Sequence, residues 1–225
     1  LIPTDIFLHK IDDKTGLIIQ KMKRYNKGDL WMYVLRHHQM INVNDFVLQM
    51  ACTLKTLHEK NIFLLDIKLE NIFGHRVGNK TEWTFGDNEY AFVEQQFLSE
   101  EEFQNDEKRI NHLCESRRKI KWIKTLEYSP DKSFPYTKRI AIRNDCFALA
   151  RCIGIVICYT QEGSCNTMFW GNRDMEIFDR RRDIQKAYPN NKYLELCGNC
   201  IVEYDEYANT TFLDNLIDTA TNEMI

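Results

Sequence analysis

The chain has 225 residues, 44% hydrophobic and 12% aromatic, which is enough apolar material to bury a core as one large domain or two small ones and reads as globular. Thirty Lys plus Arg stand against 33 Asp plus Glu, a formal net charge of -3, so nothing global draws it to nucleic acid or anionic lipid. No apolar run reaches the ~18 residues that span a bilayer, and the opening LIPTDIFLHK lacks the layout of a signal peptide; the expectation is an intracellular protein, cytoplasmic or nuclear, with no membrane or nucleic-acid partner.

Residues 6–11 and 17–22 are short β-prone runs separated by DDKTG, a turn-forming cluster in which Gly16 supplies backbone freedom, so they read as a β-hairpin. After a polar stretch ending in Gly28 and Asp29, LWMYVLRHH has helical apolar spacing, with His37 and His38 on its exposed side. Asn44 or Asp45 is the expected cap of the next helix, where Phe46, Val47, Met50, Leu54 and Leu57 recur at three- and four-residue steps. Then comes LHEKNIFLLDIKLENIF, residues 57–73, which sets Asp66, Lys68 and Asn71 in an otherwise apolar run. Two short strands near 62–86 should flank it as a loop. Residues 82–92 read as a strand and turn, and the charged stretch 97–124 contains a capping box, Ser99 with Glu102.

CFALARCIGIVICY, residues 146–159, is apolar around its whole circumference except Arg151, the mark of a central buried helix. Amphipathic helices follow near 175–187, 193–204 and 211–221. Of the eight cysteines, Cys52, Cys146, Cys152 and Cys158 sit in apolar segments as free thiols do in a reducing compartment. Cys197 and Cys200 form the one C-x-x-C, which without a second pair reads as helix packing rather than a zinc or redox site. The fold class is α+β: a short hairpin, then a mostly helical body.

Lys68 and Asn71 stand two and five positions after Asp66, and D-I-K-L-E-N resembles the catalytic loop H-R-D-x-K-x-x-N of protein kinases. The helix ending in LHEKNI is similar to the one that precedes that loop. TFGDNEYAF resembles the family's I-x-D-F-G-x-A, TLEYSPD its G-T-x-E-Y-x-A-P-E, RNDCFALA the start of its central helix, and GLIIQKMKRYNKGDL its last small-lobe strand and hinge.

The resemblance implies a protein-kinase-like fold, with residues 1–25 a remnant of the small-lobe sheet and hinge and residues 26–225 the predominantly helical large lobe. It implies a Ser/Thr protein kinase that moves the γ-phosphate of ATP to protein hydroxyls with Mg²⁺, a reaction that asks for positioning and charge neutralisation. Asp66 would orient the attacking hydroxyl, Lys68 would neutralise charge growing on the phosphate, and Asn71 and Asp87, hard oxygen donors, would hold the metal. Thr125 would help hold Asp66 and Lys68. Met22, Lys23, Tyr25, Asp29 and Phe73 would lie along the nucleotide, and Asp145 would tie the central helix to the backbone of the loop. The implied partner is a protein substrate or another member of a kinase pathway. The Asn- and Lys-rich style is similar to kinases of large DNA viruses or parasites, which implies a viral protein acting in its host as one setting.

Four departures open an alternative. Leu64 and Leu65 replace the family's His and Arg, which removes the usual partner of an activating phosphate. Glu89 replaces a flexible Gly. Asp131 and Asn209 replace both halves of a buried ion pair, and a hydrogen bond between them is expected instead. A Gly-rich loop and a V-A-I-K strand are not in the sequence, so the resemblance implies either a small lobe ahead of Leu1 in a longer chain or a pseudokinase, a kinase-mimic module that regulates another kinase or its substrate.

Overall fold

The computed structural model of the protein describes residues 5–10, 16–21, 25–87, 91–93, 128, 137–163 and 189–223. Within them the architecture is α+β, mostly helical, with three small antiparallel sheets. Strands β1 (Asp5–Lys10) and β2 (Gly16–Lys21) form the expected hairpin, one residue earlier than the pattern suggests because Gly16 pairs with Lys10 instead of lying in the turn. The expected helix at 175–187 and the capping box at Ser99 lie outside the described residues.

β3 (Gly28–Asp29) runs directly into α1 (Leu30–His37), and Asp29 caps that helix by accepting from the Met32 N–H at 2.9 Å. The cap of α2 (Val43–Glu59) is Asn42, not Asn44 or Asp45. Its extended backbone lets Oδ1 accept from the Asp45 N–H at 3.1 Å, satisfying an amide at the third helical position. The buried stripe of α2 is Phe46, Val47, Met50, Ala51, Leu54 and, one turn on, His58.

β4 (Ile62–Phe63) pairs with β7 (Phe92–Val93), while β5 (Ile72–Val77) and β6 (Lys80–Phe85) form a hairpin whose other edge pairs with β3. The hairpin loop is two residues long, and its first, Gly78, sits at φ +61°, a conformation in which a Cβ is costly.

The apolar run at 146–159 belongs to a longer helix, α3 (Lys138–Glu162), which starts two turns earlier because Thr137 caps it, its Oγ1 accepting from the Ile140 N–H at 3.3 Å. Those first turns are polar on one side and so carry no all-round apolar signal. Arg151 is 3% exposed, and its guanidinium lies 5.9 and 6.0 Å from the ring centres of Tyr128 and Phe147, a desolvated stacking arrangement that suits this cation better than Lys.

Helices α4 (Lys192–Val202), α5 (Tyr204–Tyr207) and α6 (Thr210–Asn222) complete the body: α4 packs on α3, and α6 on α2, where Lys55 and Asp214 pair at 2.6 Å. One apolar cluster joins α1, α2, α3, α4 and α6 to Trp83 and Phe85 of β6. Each fully buried Leu or Phe in it contributes about 1.5–3 kcal/mol.

Cys146, Cys152, Cys158, Cys197 and Cys200 are fully buried. Burial pushes the thiols of Cys146, Cys152, Cys197 and Cys200 up, and both cysteines of the C-x-x-C pack into the main apolar cluster. Cys52, expected in the core, is exposed because it falls off the α2 stripe. Among the described residues no helix is long and apolar enough to cross a membrane.

Candidate active site

The loop between β4 and β5 is where the polar residues of residues 57–73 come together. Its approach is set by the end of α2, where Asn61 takes φ +58°, a conformation Asn tolerates better than most residues. Side chains then divide between two apolar regions. Leu64, Ile67 and Leu69 enter the main core, while Leu65 joins Phe63 and Ala141, with Ile142 packed against them. Leu65 itself stands at φ +62°, an outlier for a bulky side chain that costs on the order of 1–3 kcal/mol and persists only where the surroundings over-determine it.

Asp145 provides that constraint. It lies on α3, is 0% exposed, and accepts from the Leu65 N–H at 2.8 Å through Oδ1 and from the Leu64 N–H at 2.9 Å through Oδ2. A carboxylate can only accept, so His58 Nε2, 2.9 Å from the same Oδ2, donates to it. The tie between the central helix and the loop backbone is thus present as expected, and three donors compensate a buried charge that would otherwise be costly.

The loop's own residues close on each other through a short 3₁₀ turn at Leu69–Asn71, in which the Asn71 N–H donates to Lys68 O at 2.9 Å. Lys68 Nζ lies 2.8 Å from Asp66 Oδ2, and Asn71 Nδ2 donates to both Asp66 O and Asp66 Oδ2 at 2.9 Å. Both atoms facing the Asn71 amide are acceptors, so its nitrogen must point to Asp66, and Oδ1, a hard oxygen donor, takes no part in either bond. Asp66 and Asn71 are 8% and 5% exposed, so these bonds act in a partly dry environment.

The backbone just past β6 is tied to this loop. The Gly86 N–H donates to Asn71 O at 2.8 Å, so Asp87 follows one residue beyond a bond to Asn71; it is exposed and sits at φ +51°. Two of the three non-Gly residues with positive φ among the described residues, Leu65 and Asp87, therefore bracket this loop. Among the described residues no three His, Cys, Asp or Glu side chains gather as a metal site. Asn71 and Asp87 each carry a hard oxygen donor, the ligand type that suits Mg²⁺.

The residues assigned to the nucleotide are brought together where they are described. Asp29 and Phe73 are direct partners across β3 and β5, and the Tyr25 ring lies 6.3 Å from Phe73 and 5.8 Å from His75. Period-two alternation puts Phe73 and His75 on one face of β5, so Tyr25, Phe73 and His75 form an aromatic patch beside Asp29. The carboxylate of Asp29 serves as the α1 cap, so a contact to ribose would share an oxygen that already has a structural task. Met22, Lys23, Thr125, Glu89 and Asp131 lie outside the described residues.

Asn209 caps a helix, while its expected partner Asp131 lies outside the described residues. Its Oδ1 accepts from the Thr211 and Phe212 N–H groups at 2.8 and 3.3 Å, and its Nδ2 donates to Glu206 O, so the side chain caps α6. His58 and His75 are the site residues that the motif alone does not flag. A His on the apolar stripe of α2 and a His two residues beyond Phe73 on one strand face are the signals each leaves. No protein-family model matches the sequence, and no curated protein matches it either.

Proposed function

We propose that the chain is a phosphotransferase of the protein-kinase type, acting on Ser or Thr hydroxyls of a protein substrate with ATP and Mg²⁺. The observation that carries this reading is the closed set Asp66, Lys68 and Asn71: one buried carboxylate bonded at the same oxygen by a cation and an amide, with Asp87 one residue beyond a backbone bond to Asn71. Asp66 accepts from the acceptor hydroxyl and aims it. Lys68, 2.8 Å away, stabilises charge that grows on the transferred phosphoryl oxygens. Asn71 Oδ1 and the Asp87 carboxylate would hold Mg²⁺, which supplies charge neutralisation to the phosphates when bound. The patch of Tyr25 and Phe73 offers a base a stacking face, with Asp29 at its edge. The Asp145 bonds and the Leu65 packing hold the loop in place without any contribution from a phosphate.

Calorimetric titration of Mg²⁺-ATP into the wild-type chain, Asp87→Asn and Asp66→Asn tests this. Binding should be lost in Asp87→Asn and kept in Asp66→Asn, while phosphate transfer to a Ser/Thr peptide library should fall about 10²–10⁴-fold in Asp66→Asn. Leu65, sealed in an apolar cluster where the resembling family has a cation, favours the second reading, a binding module of pseudokinase type. Transfer by wild type that is unaffected by Asp66→Asn would sink the first reading, and so would a wild type that neither binds Mg²⁺-ATP nor transfers phosphate.

A further inference from the structure

We draw no further inference here: the strongest candidate, the exposed apolar patch of Met32 and Leu35 on α1 and Met40 in the 3₁₀ turn after it, carries nothing because nothing in the structure shows what covers it.

Discussion

Replacing Asp145 by Asn keeps the shape of the side chain and removes its ability to accept on both edges. The amide can present its oxygen to His58 and the Leu64 N–H, which leaves its NH₂ facing the Leu65 N–H, or the reverse. Either choice loses at least one bond to a charged acceptor, about 1.5–3 kcal/mol, and strands a buried N–H at about 1–3 kcal/mol more. The two remaining bonds weaken as the acceptor becomes neutral. The combined cost is roughly 3–5 kcal/mol, a large share of a domain stability of about 5–15 kcal/mol. No cavity forms, so the loss reports the polar network alone. Urea unfolding of Asp145→Asn should show this drop, and native-state hydrogen exchange should show the Leu65 amide losing protection first, since its φ of +62° relaxes once the bond is gone. A variant within about 1 kcal/mol of wild type, or one with full protection at Leu65, would refute the reasoning.

Two further perturbations probe other parts of the molecule. Gly74 lies across from Trp83, and a Cβ there would meet Trp83 Cζ3 at 2.7 Å and Lys27 Cβ at 3.2 Å, so Gly74→Ala should cost about 1–3 kcal/mol. Its melting temperature should fall by roughly 2–4 °C per kcal/mol, and an unchanged value would mean that the hairpin shifts freely. At alkaline pH the buried thiols of Cys146, Cys152, Cys197 and Cys200 hold their protons more tightly folded than unfolded. Their contribution is therefore complete below the unfolded value of 9.0 and is lost as pH rises toward the folded values, at about 1.4 kcal/mol per pH unit for each thiol. The urea midpoint should fall from pH 8 to pH 10, less steeply in Cys197→Ala/Cys200→Ala. An equal slope in that variant would assign the effect to other groups.

Much of this was legible in the sequence where the signal is short-ranged. The spacing of Asp66, Lys68 and Asn71 is closed by a single 3₁₀ turn, and the stripe of α2 repeats at helical steps, so both can be read from neighbours in the chain. The start of α3 was hidden because its first turns carry cations on one side and the apolar count begins only at Cys146. Asn42, Asn44 and Asp45 are all polar within four positions, and backbone geometry alone selects Asn42 as the cap. Asn209 has a role that residue matching does not show. Its side chain caps the helix that starts at Thr210, a use set by its place just before that helix. The roles of His58 and His75 depend on partners that only the fold supplies.

Leu64 through Asp87 is one continuous stretch, yet the bonds that fix its strained start come from a residue 80 and 81 positions away from the amides they hold. A nascent or truncated chain can form the β5–β6 hairpin early, because its contacts are local, but the loop has no anchor until α3 has been made and docked. The anchored form of the loop is therefore a late folding event. A chain cut before Lys138 carries Asp66, Lys68, Asn71 and Asp87 but lacks the carboxylate that holds the Leu64 and Leu65 amides.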